Sequence, residues 1–87
     1  MILNITKADY INEFRVKLLF NDGLEKIVDL KDYIMSKKHP FFEPLKQVDE
    51  FKKFQVHKTL VWGNGADIAP EYLHDKIKSA EKFNVKR

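Results

Sequence analysis

Asp67 and Glu71 are the two side chains whose type and spacing come closest to a catalytic pair. Residues four positions apart can share one face of a helix, and paired carboxylates can exchange protons or bind Mg²⁺. The neighbouring residues favour a structural interpretation, because Pro70 suits the first position of a helix and an acidic side chain complements the helix dipole. We therefore predict that Asp67 caps the turn or the helix by accepting backbone N–H bonds, and that Glu71 lies in the first helical turn.

The other residues that could do chemistry do not combine into a site. The chain has three histidines, which are His39, His57 and His74. They lack the i, i+4 spacing of a metal-binding helix, and there is no cysteine to assist them, so we expect no metal site. We place His74 on the last helix, pointing to solvent or to the sheet edge. The Gly63-Asn64-Gly65 segment could hold an anion on its amides, but it lacks a P-loop lysine and the three-glycine dinucleotide pattern.

No serine or threonine stands beside a histidine or on a glycine elbow, so a nucleophile–base pair cannot be assembled from the sequence. We expect a protein that is not an enzyme and has no cofactor. An enzymatic or phosphate-binding site at Asn64, Gly65 and Asp67 is the last of our hypotheses.

Length and composition predict one domain spanning residues 1–87. Hydrophobic residues make up 44% and aromatic residues 13% of the chain, which is typical of a packed globule. The absence of cysteine fits a reducing compartment, and no apolar run approaches the roughly 20 residues of a membrane span. We therefore expect a cytoplasmic protein that is not in a membrane.

The net charge of +3 is unevenly distributed along the chain. Residues 1–33 contain five basic and six acidic side chains, whereas residues 34–87 contain eleven and seven. A basic second half is compatible with weak binding to nucleic acid, but a solvated lysine-rich surface is the simpler interpretation, because the charge lacks dense clustering. The candidate contacts for nucleic acid are Lys52, Lys53, Lys58, Lys76, Lys78 and Lys82.

The first half of the chain has the period-2 pattern of a sheet. We predict strands at residues 2–5, 14–20 and 24–30, the last two joined by a turn at Asp22 and Gly23. A three-residue loop with Gly23 at positive φ gives more apolar pairs across the hairpin than a two-residue loop. The pairs it predicts are Phe20 with Leu24, Val16 with Val28, and Phe14 with Leu30.

The second half contains short helical and strand patterns that proline residues interrupt. We predict a helix at residues 31–37, helical turns around Phe41, Phe42 and Leu45, and one turn capped by Asp49. Two short strands at 54–57 and 59–62 and an amphipathic helix at 70–82 follow. The predicted fold is α+β, a two-layer domain in which an antiparallel sheet of about four to five strands is covered by a C-terminal helix and short helical turns.

Trp62 stands before a turn in which Gly63 and Gly65 permit positive φ on either side of Asn64. The single tryptophan could fill the core between the sheet and the closing helix. It could instead be partly exposed beside Tyr72 as the anchor of a protein interface.

These residues form a signature, whose members are Trp62, Asn64, Gly65, Asp67, Ile68, Pro70, Glu71, Tyr72 and Leu73. With the turn at residues 20–23 and the Phe42-x-x-Leu45 segment, the chain resembles a family of small bacterial proteins called Domain of Unknown Function 2442. Gly63 replaces the proline usual after the tryptophan, which implies a looser turn.

The resemblance implies a small α+β protein without an established activity. Members are sometimes joined to a helix-turn-helix domain, and their genes often lie beside that of another small protein, as in toxin–antitoxin pairs. We expect a non-enzymatic interaction or regulatory module, the antitoxin-like half of a two-protein system, with a homodimer left open. The alternative is a weak, non-specific nucleic-acid-binding protein.

Overall fold

The structure is a computed structural model that describes residues 2–77 and residue 79. It is an α+β fold with two antiparallel three-stranded sheets. The strands are β1 (Ile5–Asn12), β2 (Arg15–Phe20), β3 (Glu25–Asp29), β4 (Gln55–Val56), β5 (Leu60–Val61) and β6 (Asp67–Ile68). The helices are α1 (Lys31–Ser36), α2 (Val48–Phe51) and α3 (Pro70–Asp75), and 3₁₀ turns occupy Pro40–Phe42 and Pro44–Lys46.

The prediction of one sheet with four to five strands is wrong. β1, β2 and β3 form the first sheet in that order, and β4, β5 and β6 form the second. The helical segment after β3 separates the two sheets along the chain, and the later strands are only two residues long and pair with one another. A backbone bond from the Ile5 N–H to the Lys58 carbonyl (2.8 Å) joins the sheets.

The predicted register of the β2–β3 hairpin is confirmed. Val16 lies opposite Val28, and Gly23 has a φ of +93°. The Phe20 N–H donates to the Leu24 carbonyl at 2.8 Å, which closes the three-residue loop. Because Lys26 is in phase with Val28, its side chain lies on the core face of the hairpin.

The first strand is longer than predicted and lies at residues 5–12 instead of 2–5. Most side chains of β1 after Ile5 are exposed or only partly buried, so its sequence lacks the apolar alternation that identified β2. A tight turn with Glu13 at φ +46° then leads into β2. The Arg15 Nη1 donates to the Asn12 side chain at 2.9 Å across this turn.

The helical predictions are partly confirmed. α1 and the two 3₁₀ turns lie where the sequence placed them. The N-cap of α2 is Gln47, whereas Asp49, the predicted cap, is in the first turn. α3 begins at Pro70 as predicted but ends at Asp75, short of residue 82; residues 78 and 80–82 lie outside the described part of the chain.

A side chain from β3 binds carbonyl groups where α3 ends. In a longer helix the Leu73 carbonyl would accept the Ile77 N–H, but it accepts the Lys26 ammonium at 3.0 Å instead. The Ile77 N–H donates to the Tyr72 carbonyl, one residue further back (3.2 Å). Lys26 thus binds carbonyl groups that the helix leaves free at its end.

The core contains side chains from both sheets. Phe51 of α2 is fully buried in it. Its ring is 4.9 Å from that of Phe14 and 5.9 Å from that of Trp62, centroid to centroid. Tyr10 of β1 and Phe54 before β4 complete the aromatic cluster at 6.4 and 6.2 Å. The longest helices of the described residues, α1 and α3, have six residues each, too few to cross a membrane.

Candidate interaction site at the 62–66 turn

The turn at residues 62–66 joins β5 to β6 and is closed by three hydrogen bonds. The Trp62 N–H donates to the Ala66 carbonyl (2.9 Å), and the Gly65 N–H donates to the Trp62 carbonyl (3.0 Å). The Asn64 side chain accepts the Ala66 N–H at 3.1 Å. Gly65 has a φ of +101°, whereas Gly63 is not among the described residues with positive φ, so only one of the two glycine predictions is confirmed.

The same turn holds the first 3₁₀ segment in place. The Asn64 amide Nδ2 donates to the Phe41 carbonyl at 2.8 Å. The ring of Phe41 packs on Gly65 so closely that a Cβ added there would lie 3.4 Å from it. The turn therefore positions Phe41, whose ring nevertheless remains 47% exposed.

Trp62 is a core residue, which decides between its two predicted roles. It is 4% exposed, and its indole Nε1 donates to the Phe51 carbonyl at 2.8 Å. Its ring also packs on the ring of Phe51. Trp62 thus ties the second sheet to α2, and a large part of its role is structural.

Asp67 does not cap the closing helix, contrary to prediction. It lies in β6 opposite Val61 and is exposed, and the N-cap position of α3 belongs to Ala69, which makes no side-chain cap bond. Two extended residues separate Asp67 from the first helical turn, while in the 62–66 turn the Ala66 N–H is taken by Asn64. Pro70 and Glu71 lie in the first turn of α3 as predicted.

Tyr72 is 40% exposed on α3 and packs against Tyr33 of α1, with ring centroids 5.1 Å apart. Tyr33 also carries the Lys37 ammonium 4.7 Å over its ring. Tyr72 is therefore available at the surface, but on a different element from Phe41.

A groove of about 440 Å³ lies beside the 62–66 turn. Its lining residues are Pro44, Leu45, Glu50, Lys53, Gln55, Trp62, Gly63 and Asn64. Leu45 and Trp62 are buried apolar residues, and the two charged residues, Glu50 and Lys53, pair with each other at 3.1 Å. Such a lining suits an apolar side chain of a partner better than an ion or a polar substrate.

The candidate nucleic-acid contacts do not lie on one element. Lys52 and Lys53 follow α2 and face carboxylates of that helix, Asp49 at 3.7 Å and Glu50 at 3.1 Å. Lys58 lies in the β4–β5 turn and Lys76 follows α3. Lys78 and Lys82 lie outside the described residues.

Lys26 is a buried polar residue that the sequence interpretation missed. It is 9% exposed, and its Nζ donates to the carbonyls of Leu73 (3.0 Å), His74 (3.1 Å) and Ile77 (2.6 Å) at the end of α3. Desolvation lowers the pKa of Lys26, and the nearby Asp75 carboxylate opposes this effect. The predicted register already placed Lys26 opposite Leu18 on the core face, and that signal could have identified it.

His74 was expected to face solvent or the sheet edge, but it lies between two carboxylates. Its Nε2 is 2.8 Å from Asp22 of the β2–β3 turn, and its Nδ1 is 2.6 Å from Asp75. The hydrogen bonds to Asp75 and then to Asp22 raise the pKa of His74. The pKa of Asp22 is lowered, mainly by the hydrogen bond from the Leu24 N–H and secondly by the hydrogen bond with His74. Across the described residues, no group of three or more potential ligands is arranged to hold a metal ion.

The family comparison agrees with the resemblance seen in the sequence. A family model described as protein of unknown function (DUF2442) matches residues 5–79, and the chain belongs to that family. No match was found among curated proteins or among solved structures. The matched range includes the whole 62–66 turn and α3.

Proposed function

We propose that this DUF2442 protein is a non-enzymatic protein-interaction or regulatory module, the antitoxin-like half of a two-protein system, and that Phe41 with the adjacent groove binds the partner. The observation that carries the proposal is the exposed ring of Phe41. This ring packs against Gly65, and the Phe41 carbonyl accepts a hydrogen bond from the Asn64 side chain. An aromatic side chain that is fixed before binding loses little conformational freedom in a complex, which makes it a suitable anchor.

The groove beside the 62–66 turn extends this surface through Asn64, which lines the groove and binds the Phe41 carbonyl. Its apolar base is formed by Leu45 and Trp62, and the Glu50–Lys53 ion pair supplies a polar rim. An apolar centre with a polar rim is the usual composition of a protein interface. The partner is expected to be another small protein that inserts an apolar side chain into the groove and packs beside Phe41.

The experiment begins with affinity purification of the tagged full-length chain from its native host, with mass spectrometry to identify the partner. The purified partner is then titrated against wild-type protein and two variants by calorimetry. Phe41→Ala should weaken binding about 10- to 100-fold, the effect of truncating an interface anchor. Ile11→Ala, at a 42% exposed apolar residue of β1, is the matched control and should bind like the wild type.

Equal binding by Phe41→Ala and wild type would exclude this surface. Growth rescue on co-expression with a toxic partner tests the antitoxin-like role separately. A chain that binds no protein but shifts random duplex DNA, with an affinity that falls steeply as salt rises, would support the nucleic-acid alternative instead. Light scattering of the purified chain alone would detect a homodimer.

A further inference from the structure

The end of α3 is fastened to the tip of the β2–β3 hairpin by a cluster that we call the hairpin–helix clasp, formed by Asp22, His74 and Asp75. Asp22 and His74 are far apart in sequence, yet the carboxylate oxygen lies 2.8 Å from Nε2. Asp75 lies 2.6 Å from Nδ1 on the other side of the ring. The ring is partly buried and stands edge-on to Phe20, with centroids 4.9 Å apart.

The protonation state of the imidazole decides whether both contacts are hydrogen bonds. A neutral imidazole has one N–H, whereas the protonated ring has two. Because both ring nitrogens of His74 face carboxylate oxygens, only the protonated ring can donate to Asp22 and Asp75 together. Loss of the proton turns one of these bonds into a contact between a nitrogen lone pair and a carboxylate.

The clasp lies beside other contacts that join the end of α3 to β3. From β3, the Lys26 ammonium binds the carbonyls of the last turn of α3, including that of His74 itself. The chain then continues to Ser79, which forms an antiparallel bridge with Val28 of β3. Among the residues that the structure describes, the charged groups facing His74 are therefore Asp22 from the hairpin, Asp75 from α3, and Lys26 from β3 behind its backbone.

We propose that the hairpin–helix clasp is a pH-sensitive switch, which holds the last turn of α3 and residues 76, 77 and 79 on the β2–β3 hairpin while His74 is protonated, and loosens them when His74 loses its proton. Loosening would also weaken the bridge at Val28 and leave more of the outer edge of β3 open. An open strand edge is a surface on which another chain can pair. The switch would thus couple pH to the accessibility of that edge.

The direction of the switch follows from linkage. The pKa of His74 is raised in the folded protein. The stability that its protonated ring adds to the folded state is therefore complete below the ordinary histidine pKa of about 6.5, and it is lost as pH rises through the raised value. The pKa of Asp22 is lowered from its ordinary value of 3.8. The stability that the Asp22 carboxylate adds to the folded state is therefore present above pH 3.8 and is lost as pH falls through the lowered pKa. The clasp is therefore closed in mildly acidic solution and opens as pH increases.

The test uses NMR on the full-length protein from about pH 5 to about pH 9, a range that covers a raised histidine pKa. The His74 ring should titrate above the ordinary value. The amide hydrogens of Lys76 and Ile77, which donate to the Tyr72 carbonyl at 2.9 and 3.2 Å, report on the last turn. Their protection, corrected for intrinsic exchange, should fall at least about threefold through the same titration.

Three variants separate the clasp from a general effect of pH. Asp75→Asn removes an exposed charge with little risk to folding and should lower the His74 midpoint. His74→Gln should abolish the pH dependence of Lys76 and Ile77 protection. His57→Gln, at an exposed histidine of the β4–β5 turn, is the matched control and should keep it. A His74 ring that titrates at the ordinary value, or protection that does not change with its titration, would overturn the proposal.

Discussion

Replacing Lys26 with methionine should lower the free energy of unfolding by about 2–3 kcal/mol, because the end of α3 would lose the cation that binds three of its carbonyls. The bond to the Leu73 carbonyl is buried, and an unpaired buried acceptor costs about 1–3 kcal/mol. The carbonyls of His74 and Ile77 are only partly buried, so water can replace the ammonium there at a smaller cost. The attraction between a cation and the helix terminus adds about 0.3–2 kcal/mol.

One effect acts in the opposite direction. Desolvation lowers the pKa of Lys26, which means that burial disfavours the charged form, and methionine removes that cost. Methionine also keeps an apolar chain of similar length on the core face beside Val28. Because of these two gains, we expect a smaller loss of unfolding free energy than the sum of the carbonyl and helix-terminus contributions.

The assay is urea unfolding of the two proteins followed by circular dichroism. Lys17→Met on the adjacent strand is the matched control, since its side chain is exposed and its ion pair with Glu25 (3.5 Å) should contribute less than about 1 kcal/mol. If Lys26→Met were as stable as Lys17→Met, the reasoning would be refuted. Desolvation of the ammonium would then outweigh its three hydrogen bonds, as it does in some buried ion pairs.

Three further predictions concern the 62–66 turn and β6, and all can be measured by urea unfolding. Trp62→Phe should cost about 1–3 kcal/mol, because it leaves the Phe51 carbonyl unpaired in the core; a neutral result would place that carbonyl in contact with water. Gly65→Ala should cost about 1–2 kcal/mol, since φ is +101° and an L side chain is strained there. Gly63→Ala meets nothing within 4 Å and should be nearly neutral, so equal losses would contradict the turn geometry. Asp67→Ala and Asp67→Asn should both change stability by less than about 0.5 kcal/mol, and a larger loss in Ala alone would restore its capping role.

The parts of the fold that the sequence predicted correctly are those with repeated local signals. The β2–β3 hairpin has four apolar residues at alternate positions and a glycine at the turn, and only one register satisfies both. The 3₁₀ turns are marked by Pro40 and Pro44, which restrict the backbone before and within them. Local chemistry was sufficient for these elements because their partners are close in sequence.

The parts that were missed depend on contacts between distant residues or on very short elements. β6 has two residues, too few for any alternation to be visible, so Asp67 was interpreted as a cap. The carbonyls at the end of α3 are bound by Lys26, which comes from a strand nearly fifty positions earlier. An amphipathic pattern continues beyond Asp75 in the sequence. No neighbouring residue in the sequence indicates that Lys26 of β3 will bind the carbonyls of Leu73 and His74.

The 62–66 turn connects the fold and the proposed function through two of its residues. Asn64 and Gly65 both contact Phe41, the first through the carbonyl and the second against the ring. Neither residue needs to touch a partner to affect binding, because Asn64 binds the backbone of Phe41 and Gly65 lies against its ring. The ring of Phe41 also lies 4.9 Å from that of His39, centroid to centroid, but it remains 47% exposed. Its truncation should therefore affect recognition more than folding, whereas changes at Asn64 or Gly65 should affect both. The contacts of Asn64 and Gly65 with Phe41 therefore give both residues a positioning role that does not require them to form the binding surface.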